Sequence, residues 1–139
     1  MKLTNHINAN QKQGQFFFKA LQNSGEFILL NLLKFKSLAE YDAQITMKLK
    51  SNISGKEAYE RYFNAVQPEL EKIGSTILFR GDCLPFLVGP ENEHWDTVIL
   101  VKHKSVRKFI EFSQSKAYLE NKFHRNVALD DSRLLPIIP

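Results

Sequence analysis

Asn31 stands inside a run that is otherwise almost wholly apolar, Phe27-Ile-Leu-Leu-Asn-Leu-Leu-Lys-Phe35. An amide in such a run must find partners, because an unpaired buried polar group costs about 1–3 kcal/mol. It can bond backbone as a structural group, or it can meet a ligand oxygen. A second apolar run, Trp95 to His103, carries an indole at its start and an imidazole at its end. Side chains alternate across a strand. Phe27, Leu29, Asn31, Leu33 and Phe35 therefore share one face, as do Trp95, Thr97, Ile99, Val101 and His103. Where those two faces coincide, Asn31, Trp95 and His103 line one cavity. His103 is then the candidate base, with Asn31 and a tyrosine stabilising developing oxyanion charge.

Tyr59 and Tyr62 fall on the apolar face of a predicted helix, where they either pack or present hydroxyls to a pocket. With Trp95, the residues Arg80, His124 and Arg125 complete the candidates for holding a small aromatic or anionic ligand. Arg125, Asp131 and Arg133 also fit an ion-pair network between the last helix and the last strand. His94, His103 and His124 are scattered without metal-ligand spacing, and no Gly-rich phosphate loop occurs. Nothing near Cys83 argues for an activated thiolate. The residues call for no metal and no cofactor.

Positioning these groups requires a particular order of elements. Phe16, Phe17, Ala20 and Leu21 recur at helical spacing and predict a short helix over 11–23. Residues 27–35 form a strand apolar on both faces, and 36–52 a polar connection. Ser54 and Glu57 make a capping box ahead of Tyr59, Tyr62, Phe63, Val66, Leu70 and Ile73, which share one helix face. Gly74 stops that helix, and Pro68 within it should kink it. Strands follow at 76–80, with 84–88 as an extension or bent continuation, and at 95–103. Ser105 and Ser115 cap two helical segments, the second carrying Tyr118, Phe123 and Leu129, before a last strand at 133–138.

The order is β-α-β-β-α-β, an α+β chain of the ferredoxin-like kind with an antiparallel sheet and an extra N-terminal helix. Residues 1–25 read as an extension and 26–139 as one domain. Two helices cover only one face of such a sheet, yet strands 27–35 and 95–103 are apolar on both. A second copy, related by a two-fold axis, is the economical cover, giving a homodimeric α/β barrel.

Composition narrows the function classes. A chain of 139 residues holds one core and excludes a (β/α)₈ barrel or two full α/β halves. With 43% hydrophobic and 24% charged residues it is an ordinary soluble composition. The net charge of +4 is too small to argue for nucleic acid, although Lys102 to Arg125 is locally basic. One cysteine excludes an intrachain disulfide. The start of the chain is polar rather than signal-like, and its longest apolar run falls far short of the roughly 20 residues that span a bilayer. The expectation is a soluble cytoplasmic protein with no membrane or nucleic-acid partner.

The residues also resemble a known family, the dimeric α/β-barrel proteins grouped as domain of unknown function 1330. The matching motifs are Asn31-Leu-Leu-Lys-Phe35, Gly55-Lys-Glu-Ala-Tyr59 with Tyr62, Pro68 and Gly74. They continue with Phe79-Arg-Gly81, Trp95-Asp96, Tyr118, His124-Arg125 and Ala128-Leu-Asp-Asp-Ser-Arg-Leu134. The resemblance spans about residues 26–135; His103-Lys-Ser105 departs from the family's usual Tyr-Pro-Ser. It implies the dimeric barrel and brings no activity. Haem-degrading monooxygenases of the same superfamily use an Asn, a Trp and a His that Asn31, Trp95 and His124 resemble. Trp95, however, opens its strand instead of closing it, and His124 is displaced by about two residues, a rotation of about 200° on a helix. Haem is disfavoured. Two readings remain: a cofactor-independent oxygenase or isomerase of a small molecule, and a non-catalytic dimeric ligand-binding or interaction module.

Overall fold

The computed structural model describes residues 5–49 and 52–139. Helix α1, Gln11–Leu21, begins at a reciprocal cap: Asn10 accepts from the Gln13 N–H at 2.8 Å and the Gln13 side chain accepts from the Asn10 N–H. The strands are β1 (Phe27–Phe35), β2 (Thr76–Asp82), β3 (Thr97–His103) and β4 (Leu129–Ile137). Helices α2 (Ala43–Leu49) and α3 (Gly55–Lys72) join β1 to β2, and α4 (Val106–Ser113) and α5 (Lys116–Ala128) join β3 to β4. All pairings are antiparallel, in the order β2-β3-β1-β4. This is the predicted ferredoxin-like arrangement.

Register fixes the two faces. Phe27 pairs with His103, Leu29 with Val101, Asn31 with Ile99 and Leu33 with Thr97. That set faces α3, α4 and α5, and most of it is fully buried. The alternate set, Ile28, Leu30, Leu32, Val98 and Leu100 with Leu135 and Ile137, lies on the open face and is only half-buried or exposed.

Several boundaries move from the sequence expectation. The polar connection holds α2. Strand β4 begins at Leu129, which caps α5 instead of continuing it. Residues 84–88 make no strand, and Leu84, Leu87 and Val88 stand exposed. Helix α3 runs through Pro68 without a break. On α1, Phe16 is exposed, while Phe17, Phe18 and Leu21 pack against Phe27, Val106, Phe109 and Ile110.

Two glycines are dictated by geometry. Gly74 ends α3 at φ +83°, a conformation that side chains disfavour. Gly55 starts α3 where the end of β1 meets the end of α5. Lys36 N–H donates to the Ala128 carbonyl and Gly55 N–H to the Lys36 carbonyl, each at 2.9 Å. A Cβ on Gly55 would overlap both carbonyl oxygens. This junction sets the start of α3 against the end of α5, and so places Tyr59 in the neighbourhood of Arg125.

Candidate functional site

Between the helix-facing side of the sheet and α3, α4 and α5 lies a cavity of about 1220 Å³. Residues 6–21 supply its remaining wall. Of the sequence candidates, Asn31, Tyr59, Tyr62, His103 and Arg125 line it; Trp95, Arg80 and His124 do not. Its surface is mostly apolar, and among the described residues no Asp or Glu contributes to it.

A row of rings runs along this cavity. Centroids are 5.4 Å apart for Tyr59–Tyr62, 6.3 Å for Tyr62–Tyr118, 5.2 Å for Tyr118–Phe112, 6.3 Å for Phe112–Phe109 and 5.0 Å for Phe109–His103. Tyrosines thus occupy one end and His103 the other.

The His103 ring stacks on Phe27 at 5.4 Å, and its Nδ1 sits 2.8 Å from the Ser75 hydroxyl. Burial disfavours the imidazolium and pushes its pKa down to about 4. At neutral pH it is an uncharged hydrogen-bonding group with a weak proton affinity. Asn31 Nδ2 donates to the carbonyls of Ile99 at 3.2 Å and Leu29 at 3.4 Å. Its amide N–H groups therefore serve the sheet, and Oδ1 takes no bond among the described residues. In this arrangement Asn31 offers a ligand an acceptor, not the oxyanion donor that its position in the strand led one to expect.

At the other end, burial raises the hydroxyl pKa of Tyr59 to about 12 and that of Tyr62 further still, while the nearby Arg125 charge opposes both shifts. Both are neutral donors at any physiological pH. None of the hydroxyls of Tyr59, Tyr62 and Tyr118 has a hydrogen-bond partner among the described residues. Arg125 donates to the Ile7 carbonyl at 2.7 Å and pairs with no carboxylate among the described residues.

The other candidates are engaged elsewhere. Trp95 lies before β3 with the Arg133 guanidinium 5.1 Å from its ring centroid. Asp96 accepts the Phe35 N–H at 2.7 Å. Arg80 pairs with Glu60 and covers the Phe63 ring. His124 Nδ1 meets the Tyr41 hydroxyl at 2.5 Å, and burial and Arg61 lower its pKa. The expected Arg125–Asp131–Arg133 network is divided. Arg133 holds Asp131 at 2.7 Å on the same strand, whereas Arg125 reaches residues 7 and 8. Asp131 also accepts the His6 N–H at 2.8 Å, and Ser132 donates to the His6 carbonyl at 2.7 Å. The N-terminal segment is thus latched to β4 and α5, a connection between distant stretches that no local spacing announces. Tyr118 was legible: it lies seven residues before Arg125, on the same face of α5.

Among the described residues no three His, Cys, Asp or Glu side chains gather as a metal set. Nor, among them, is any helix long and apolar enough to cross a membrane.

Fold and cavity define a ferredoxin-like α+β protein with a half-open, mostly apolar cavity. Comparison with known proteins makes the family plain: residues 47–135 match the model of the domain of unknown function DUF1330, and the chain belongs to that family. No curated protein matches it. A protein of unknown function from Rhodopseudomonas palustris is 30% identical, with a TM-score of 0.87 over 98% of both chains. A dimeric ferredoxin-like protein of unknown function from Thermobifida fusca is similar in fold: 9% identity, TM-score 0.51, covering 84% of this chain and 93% of that one. So is a hydroxynitrile lyase from Passiflora edulis, at 14% identity and TM-score 0.52, covering 83% of this chain and 94% of that one. At such identities the likeness is one of fold.

Proposed function

We propose that this protein is a homodimer that binds a small aromatic or otherwise apolar molecule in the cavity between sheet and helices. The observation carrying this reading is a mostly apolar, half-open cavity lined by Asn31 Oδ1 and the hydroxyls of Tyr59 and Tyr62, which take no hydrogen bond among the described residues, and by Arg125, which pairs with no carboxylate there. No buried side-chain polar atom among the described residues lacks a partner, so these free atoms open onto accessible space. Free polar groups that face a cavity are suited to a ligand. The apolar open face supports the homodimer, since an exposed patch of that kind marks an interface. The dimeric fold neighbour from Thermobifida fusca supports it too. The single unpaired Cys83 supports a reducing, cytoplasmic setting.

A second reading, a cofactor-independent oxygenase or isomerase, draws on the same groups. The donors at Tyr59, Tyr62 and Arg125 suit an enolate or other oxyanion. His103 would act as the base only on a substrate long enough to reach it.

One experiment separates the two. The protein is screened by thermal shift against small aromatic and aliphatic compounds. Each binder is then incubated aerobically in heavy water and followed by NMR. Binding without oxygenation or deuterium exchange supports the binding module. Conversion that is lost in Asn31→Ala supports the enzyme. A screen without a single binder contradicts both.

A further inference from the structure

The charged side chains lining the cavity among the described residues, Lys12, Arg125 and Arg133, are all cationic. We propose that the cavity's ligand is a small carboxylic acid whose carboxylate sits on Arg125 and the hydroxyls of Tyr59, Tyr62 and Tyr118, with an apolar body directed along Phe112 toward Phe109. This rests on the cavity being the binding site and names the class of molecule it takes.

Arg125 carries five N–H donors. Those with partners among the described residues reach only the Ile7 carbonyl at 2.7 Å and the Asn8 side-chain oxygen at 3.5 Å, both neutral. It forms no ion pair there, whereas the cavity's other arginine, Arg133, is matched by Asp131 at 2.7 Å. With no Asp or Glu in the lining among the described residues, that charge has no neutralising partner there. Arg125 is half-buried, so its remaining N–H donors stay open to a ligand that brings the counter-charge.

The tyrosines supply the complement. Tyr59 and Tyr62 are only 3% and 7% exposed, yet their hydroxyls have no acceptor among the described residues. No buried side-chain polar atom among the described residues lacks a partner, so these hydroxyl oxygens open onto accessible space. Their ring spacings put Tyr62 between Tyr59 and Tyr118. Kept neutral by burial, Tyr59 and Tyr62 can only donate to an anion. A guanidinium with neighbouring O–H donors matches a planar carboxylate, which it can hold through two parallel bonds. A guanidinium without a paired carboxylate, beside a mostly apolar space, matches a negative charge carried on a hydrocarbon body. Beyond Tyr118 the cavity continues along Phe112 and Phe109, so the body of the acid is apolar or aromatic.

The test pairs acids with isosteric neutral analogues. Hexanoate, 4-phenylbutanoate and cinnamate, each beside its primary amide, are titrated into the wild-type protein by calorimetry. They are also titrated into Arg125→Gln, Arg125→Lys and Tyr62→Phe, with the melting temperature of each variant recorded. At least one acid should bind about tenfold or more tightly than its amide, as expected for a charge-assisted contact. Arg125→Gln should erase that preference, Arg125→Lys should retain part of it, and Tyr62→Phe should weaken the acid more than the amide. Acids and amides binding alike would leave the cavity as the site and overturn the carboxylate. An acid preference that survives in Arg125→Gln would overturn the assignment to Arg125. Binding of neither class would overturn the cavity reading itself. The wild-type comparison needs no substitution, so a variant that fails to fold leaves the test intact.

Discussion

Asn31 and His103 line one cavity from adjacent antiparallel strands, yet they are four register positions apart, since His103 pairs with Phe27 and Asn31 with Ile99. At about 3.3 Å per residue that is about 13 Å along the sheet. Groups that work on one reacting atom must each come within about 3 Å of it. These two can grip opposite ends of one molecule, but they cannot share an atom.

The first prediction follows from that separation. Asn31→Ala and His103→Ala should act independently on stability, their double mutant adding to within about 0.5 kcal/mol in denaturant titrations. An interaction energy above about 1 kcal/mol would show that they form one network.

His103 predicts the acid limb of the stability curve. Its folded pKa lies near 4, below the ordinary value of 6.5. Between those values the unfolded chain binds more protons, so stability falls as pH drops from about 7 toward 4. The full difference corresponds to about 3 kcal/mol. His103→Leu should flatten that limb relative to wild type in urea titrations at stepped pH. An unchanged slope would mean that His103 is not buried as a neutral ring.

Gly55→Ala should destabilise the protein severely, because the added Cβ meets the Lys36 and Ala128 carbonyl oxygens, which are backbone and cannot swing aside. Overpacking typically costs 1–3 kcal/mol, and more where the neighbours cannot yield. A melting temperature within about 2 °C of wild type would contradict the tight junction among β1, α3 and α5. Gly14→Ala is the control, since nothing lies within 4 Å of the Cβ it would gain.

The open sheet face predicts assembly. Leu30 pairs with Leu100 and Leu135 on that face. Leu30→Glu places a charge at its centre, where pairing with a second copy would bury it unpaired. Sedimentation at micromolar concentration should show a wild-type dimer and a variant monomer with unchanged circular dichroism. A variant that remains dimeric would move the interface elsewhere.

How much of this was legible depends on where each signal resides. The two-faced apolar strands, the Ser54 cap and Gly74 are local, and they gave the ferredoxin-like order directly. The start of β4 was hidden because Leu129 continues the helical spacing while Asp130 and Asp131 disfavour strands. Its pairing with β1, through a bulge at Lys34/Phe35, overrides both. Trp95 lay outside the strand whose alternation was used to place it. The latch between residues 6–8 and Asp131, Ser132 and Arg125 joins positions more than 110 apart, which no periodicity can reveal. The spacing of Asn31 and His103 could be read only after the register was known.

The binding cavity is tested most directly by mapping on the folded protein. An isotope-labelled sample is titrated with 4-phenylbutanoate and its chemical-shift changes are followed. Shifts should concentrate at Tyr59, Tyr62, Val66, Ile99, Phe112 and Tyr118, all of which line the cavity, and should saturate together. Shifts confined to the open sheet face, or none at millimolar acid, would contradict it.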